Sequence, residues 1–322
     1  MVIVQFIGLT LIITLAAYLL SEGAEVLAEK FGANFAGSIV LGLITTLPEY
    51  MFVIWACLKG QFAMAVGSAI GACSLLMTLG YGSVIFLATS RLSRNSVPVI
   101  ELSKRTRTDA LYLLLTGAVA FLLAWEHNSF DVKDGVILNL IFFLYLAQSA
   151  KNAVAHHKSN KEKNISVPKA RMRKAWIYMT LGAIIVLVAS EPFVDSMIAV
   201  AHFFGISPVT IAIILGPLAS EMPEKMTAYI TVLRNGRLAE ISVCNFIGSA
   251  INHNSLLLGI VPLLGMLKGK GAIGPMLTPP FYFMMAVVLF GTLSLARRKL
   301  SRPQGIAFIL LYGLLLFISF KS

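Results

Sequence analysis

Charge is scarce in this chain: Asp, Glu, Lys and Arg make up 13% of its 322 residues, roughly half the share of an ordinary soluble domain. That shortage excludes a solvated globular fold. Cysteine is scarcer still, and Cys57, Cys73 and Cys244 lie in or at the ends of apolar runs without C-x-x-C or other metal-ligand spacing. They read as small packing residues and say nothing of a redox compartment. Also missing are H-E-x-x-H, G-x-S-x-G and any phosphate-cradling glycine loop, so the usual signatures of a membrane-embedded enzyme are absent from the sequence. Long polar segments are missing too, with one exception at 156–174, "HHKSNKEKNISVPKARMRK". No soluble domain is expected.

Apolar residues fill the rest. Hydrophobic side chains account for 57% of the chain and mean hydropathy is +0.83. Apolar runs long enough for an α-helix to cross ~30 Å of hydrocarbon recur at 2–20, 35–58, 62–89, 108–125, 134–155, 175–200, 207–233, 239–266, 272–296 and 304–320. The prediction is an all-α integral membrane protein with ten transmembrane helices in a lipid bilayer. The first run lacks a basic n-region and leads into acidic "SEGAEVLAEKFG" (21–32), so it is read as a retained span. The net charge of +11 sorts by side. Twenty Lys and Arg fall in the loops after spans 1, 3, 5, 7 and 9, against five on the other side: Lys59, Lys133, Lys268, Lys270 and Lys321. This positive-inside signature makes the basicity a report of topology and not of nucleic-acid binding. It puts the 156–174 loop in the cytoplasm and both termini outside the cell membrane.

The same loop divides the chain into an N-terminal five-span repeat (1–155), a basic linker (156–174) and a C-terminal five-span repeat (175–322). Five is odd, so the two repeats sit upside down to one another. Internal echoes support them: "TTLPEYMFVIWACLKG" (45–60) with "SEMPEKMTAYITVLRNG" (220–236), "VGSAIGACSLL" (66–76) with "CNFIGSAINHN" (244–254), and "SEGAEVLAEKFG" with "SEPFVDSMIAVAHFFG" (190–205). Inverted repeats of this kind build secondary transporters, with the substrate site at the midplane.

Ionisable residues inside the spans then acquire meaning. Glu49 and Glu224 each follow a proline near the middle of spans 2 and 7, positions that repeat symmetry brings face to face. A proline inside a span removes an amide donor and frees a carbonyl about four residues earlier. Such carbonyls are cation ligands. Thr45 and Thr46 in one half, with Ser220 and Glu221 in the other, add side-chain oxygens one turn before each glutamate. The result is an all-oxygen site of the kind calcium prefers and sodium accepts. A lone carboxylate at the bilayer centre costs ~2.5–3.5 kcal/mol or more, so it persists where it faces a cavity, a partner or an ion. Plainer readings stand beside these. Glu49 and Glu224 could be interhelical hydrogen-bonding groups, although the repeated P-E argues against it. Glu221 stands four residues before Lys225, and is either a site carboxylate or the partner of a buried lysine. His253, between Asn252 and Asn254, is either a packing histidine or a proton-linked group.

These residues carry a resemblance. "SEGAEVLAEKFG" leading to "LITTLPE", then "EPFVDSMIAVAHFFGISPVTIAIILGPLASEMPE", resembles the calcium/cation antiporter superfamily in its divergent prokaryotic, sodium/calcium exchanger-like branch. The resemblance covers roughly 15–90 and 185–265. It implies ten spans, alternating access and a central site in which Glu49 and Glu224 match the two ion-binding glutamates. It also places Thr45, Thr46 and Ser220 at hydroxyl ligands, and Ser249 at the serine of the second motif. The transported ions are then calcium and sodium or protons, with no resident cofactor. The chain departs from the pattern at Ala72, which stands for a serine, at Leu76, which stands for an outer polar residue, and at Glu221, which replaces a hydroxyl. His253 falls at that outer position in the second half. Losing two polar ligands removes outer sodium-type sites first, so proton coupling competes with sodium coupling.

The mechanism expected is exchange by competition for one site, with spans 1 and 6 sliding across a rigid core and Gly23, Gly32 and Gly205 permitting their close approach. A passive cation channel or uniporter and a monovalent cation/proton antiporter are the alternatives. Counterflow dependence separates a channel from an exchanger.

Overall fold

The structure is a computed structural model that describes residues 2–31, 46–159 and 168–321, with the backbone alone described at 24, 25, 27–31, 104, 105, 107, 152–159, 223 and 224. Among these residues the helices are α1 (Val2–Phe31), α2 (Leu47–Leu58), α3 (Phe62–Thr89), α4 (Lys104–His127), α5 (Val132–Ser159), α6 (Lys169–Phe204), α7 (Pro208–Ser220), α8 (Met222–Arg234), α9 (Gly236–Leu267, opening on a 3-10 turn), α10 (Pro279–Ala296) and α11 (Arg302–Lys321). Eight of them are long and apolar enough to cross a membrane, while α2 and α7 are shorter apolar helices. The chain is a multi-pass membrane protein.

Several boundaries differ from those expected. Acidic "SEGAEVLAEKF" continues α1 instead of ending it, because a helix satisfies its own backbone wherever it leaves the hydrocarbon. Within the expected 156–174 linker, residues 156–159 continue α5 and 169–174 open α6. The ninth span starts at Pro279 and not at 272, since Pro275, Pro279 and Pro280 keep the preceding residues out of a helix. The seventh is two helices, α7 and α8, meeting at Glu221. The first part of the second span lies outside the described residues.

Helices α1 and α6 lie along each other. Both turn apolar side chains outward, among them Val4 and Val188. Their approach is close where glycine allows it. A Cβ at Gly23 would fall 2.4 Å from Met179 Cγ, and one at Gly182 would fall 2.8 Å from the Ala16 carbonyl. Gly205 serves differently: it caps α6 in the left-handed region, φ +66, and a Cβ there would meet nothing within 4 Å. Gly32 lies outside the described residues.

The most buried helices are α3 and α9. Each contains one π-helical stretch, Leu76–Gly80 in α3 and His253–Leu257 in α9, of the sort that often marks functional sites. Packing is matched: α3 lies on α11 as α9 lies on α5, α3 meets α10 as α9 meets α4, and α4 meets α10. Four two-residue strands add a detail not expected of an all-α chain. β1 (Ile100–Glu101) pairs antiparallel with β4 (Lys299–Leu300), and β2 (Phe130–Asp131) with β3 (Ala272–Ile273).

Candidate functional site

Two helix starts organise the polar interior. At the first, Thr46 is the N-cap residue of α2 and Pro48 lies in the opening turn, where its missing N–H costs nothing. Glu49 follows in the same turn and is 2% exposed. At the second, Glu221 is the N-cap residue of α8, with a proline again in the first turn. Glu224 belongs to α8 by its backbone, and its side chain is outside the described residues, as is the whole of Thr45. The structure therefore places one of the two predicted glutamates in full.

α9 joins the two starts. Asn252 donates its amide N–H to Thr46 Oγ1 at 3.2 Å and accepts the Tyr50 hydroxyl at 2.7 Å. One residue on, His253 opens the π-helical stretch with its Nε2 3.7 Å from Glu221 Oε1. Glu221 Oε2 in turn accepts from Lys225 Nζ at 2.9 Å. A file of polar side chains thus lies between the two helix starts in two groups, Tyr50 and Thr46 on Asn252 and Lys225 and His253 on Glu221, with Asn252 and His253 neighbours along α9. Among them Thr46, Glu221, Lys225, Asn252 and His253 are all buried.

The remaining candidates lie close along these helices. Ser220 is buried and donates to the Gly216 carbonyl at 3.1 Å. Ser249 is buried on α9, one turn before Asn252 and His253. The Leu76 and His253 positions, matched in the sequence, are the first residues of the two π-helical stretches. Leu76 and Ala72 are fully buried and offer no ligand.

Three contributors were not singled out from the sequence. Asn252 was visible only as a neighbour of His253. Thr14 of α1 donates to the Ala219 carbonyl at 3.2 Å; that carbonyl lies four residues before Pro223 and so lacks the usual helical donor. Nothing in the sequence around Thr14 marks it. Lys59, just past α2, donates to Glu191 at 3.0 Å and Asp195 at 3.1 Å on α6. The hydrogen bonds to Asp195 and then Glu191 raise its pKa above the ordinary 10.5. A crevice of ≈ 220 Å³ between α3, α7 and 273–280 is walled mainly by Val, Ile and Pro and holds no ionisable residue. The polar file, not the crevice, is the candidate site.

Comparison with known proteins follows the whole chain. The sodium/calcium exchanger protein family matches over residues 1–150 and 174–321. An uncharacterised membrane protein of Methanocaldococcus jannaschii is 28% identical over 294 residues, covering 90% of this chain and 88% of that one. The inner membrane protein YrbG of Escherichia coli is 26% identical, covering 97% and 94%. Among solved structures, the H+/Ca2+ exchanger CAX superposes with a TM-score of 0.80 at 19% identity over 99% of this chain and 87% of that one, a likeness of fold. The sodium-calcium exchanger NCX_Mj gives 0.70 at 25% identity over 98% of each chain.

Proposed function

From its place in the sodium/calcium exchanger protein family, to which this chain belongs over nearly its whole length, we propose that its cation antiport exchanges calcium or a similar divalent cation against sodium or protons. The chain is a transporter and not an enzyme. The site is built on Glu49 and Glu224, with oxygen from Thr45, Thr46, Ser220 and Ser249. The observation that carries this reading is the polar file on α9, which connects two proline-started helices through Asn252 and His253. Broken helices at membrane depth are tolerated where their backbone lines a site or a cavity. Glu221 completes the cluster as the partner of Lys225, the reading that its 2.9 Å contact supports. His253 is the candidate for proton linkage.

Inverted five-span repeats, ten spans in all, account for the matched packing. Adding five to each span number turns the α3–α11 contact into the α9–α5 contact, and the β1–β4 pair into the β3–β2 pair. The halves are 1–155 and 175–322 with the 156–174 linker in the cytoplasm, and both termini face outside the cell membrane. In this reading α1 and α6 are the sliding pair. Thr14 then links sliding to binding, because movement of α1 uncovers the Ala219 carbonyl at the break. An empty pair of carboxylates resists passing an apolar barrier, whereas a neutralised one moves.

Proteoliposomes loaded with calcium, then given an inward sodium gradient or an inward proton gradient, test the proposal. Calcium efflux is expected under at least one gradient and little efflux under neither. Equal efflux with and without a counter-gradient would make the protein a channel.

A further inference from the structure

Lys225 is a basic side chain, 2% exposed, inside the cluster proposed to bind cations. Its ammonium is held as a bound cation is held, by oxygen: Glu221 Oε2 at 2.9 Å and the Pro217 carbonyl at 3.4 Å. That carbonyl belongs to a proline inside α7, next to the break. Stability does not by itself call for such a pair, since apolar residues of similar volume in place of a buried ion pair are often neutral or stabilising. The first half shows the alternative. Thr46 and Tyr50 occupy the positions equivalent to Glu221 and Lys225, four residues apart at the start of α2, and meet the same α9 with neutral hydrogen bonds.

We infer that the Lys225 ammonium is a resident cation, permanently filling one monovalent position of the transport site. The inference rests on the antiport reading above and adds what the site is left to carry. Glu49, Glu221 and Glu224 against one ammonium leave two net negative charges with His253 uncharged, which a single divalent cation neutralises. Without the ammonium, the same carboxylates require a divalent and a monovalent cation together. Lys225 therefore sets the number of ions exchanged.

The test is thermal unfolding of purified full-length protein in sodium, potassium or ammonium chloride, against choline chloride at equal ionic strength. Lys225→Met is expected to lose stability in choline and regain it saturably in a small monovalent cation, with a Tm rise on the order of a few degrees. Lys225→Gln, which keeps a donor to Glu221 and drops only the charge, runs beside it in case the methionine variant does not fold. Wild type and Glu221→Gln/Lys225→Met, each with two net negative charges, are expected to respond less. A cation response equal in wild type, Lys225→Gln and Lys225→Met would overturn the inference, and so would one that survives in the double variant. Because unfolding requires no transport, that result leaves calcium exchange by the wild type standing, while failure of the wild type to move calcium refutes the antiport reading separately.

Discussion

Replacing Asn252 by leucine isolates the link between the two helix starts. Leucine is close in size, and Leu75 directly precedes the π-helical stretch of α3 as Asn252 precedes that of α9, so little cavity is created. Two hydrogen bonds are lost, at 2.7 Å to the Tyr50 hydroxyl and at 3.2 Å to Thr46 Oγ1. Interhelical hydrogen bonds in membranes average ~0.6 kcal/mol, with a maximum near ~1.7. Two of them give a stability loss of ~1–3 kcal/mol. Thr46 stands at the N-cap position of the helix that carries Glu49 one turn later, so whatever part of that energy is specific to the ion-bound state appears as affinity. At tenfold per ~1.4 kcal/mol, the ceiling on weaker calcium binding is about a hundredfold. Calcium titration by calorimetry, together with thermal unfolding in the presence and absence of calcium, reads both quantities. Tyr50→Phe removes only one of the bonds and should fall between wild type and Asn252→Leu. If Asn252→Leu matches wild type in stability and affinity, the file on α9 is not a structural link in the site.

Glu49→Gln and Glu224→Gln each keep volume and remove charge, so coupled calcium flux should disappear from both while gel-filtration profiles stay normal; near-normal exchange by either would remove it from the site. Ser159→Cys, on a background without the native cysteines, is expected to react with impermeant maleimide only from the cytoplasmic side, and labelling of intact cells would invert the topology. Lys59→Gln should cost ~0.2–1 kcal/mol, less at high salt, because Glu191 and Asp195 are about half exposed. The folded-state pKa of Lys59 is raised, so its contribution is complete below the ordinary 10.5 and is lost only as pH climbs through the raised value. The stability difference between wild type and Lys59→Gln is therefore expected to be flat from pH 6 to pH 9; a slope within that window would contradict the pairing.

The membrane character and the two helix starts were legible because they are written in composition and in proline. Pro48 and Pro223 each stand in the opening turn of a helix, where a missing N–H is tolerated, and the repeated P-E marked the place. Glu221 and Lys225 were legible as a possible pair because four residues is one helical turn. What hydropathy misses is the polar residue that serves another helix. Thr14 sits in an apolar run like any threonine there, and its role comes from a carbonyl 205 positions away. Asn252 likewise bonds partners in α2. Turns of π-helix and strands of two residues leave no periodicity long enough to detect. Gly205 was misjudged because helix ends and helix contacts draw on the same residue for opposite reasons, one for its backbone freedom and the other for its missing side chain.

The short strands bear on how the chain is made. Ile100 finds its partner in Leu300 and Phe130 finds its partner in Ile273, so each pairing joins an early loop to a late one. At ~5–20 residues per second, the loop before α4 waits on the order of 10–40 s after emerging before its partner exists. During that interval α3, α4 and α5 are inserted but lack the late helices against which they pack. The first half is then a biosynthetic intermediate in which β1 and β2 still lack their strand partners. Halves expressed as separate chains should accumulate together and be degraded apart, because each holds one strand of both pairs.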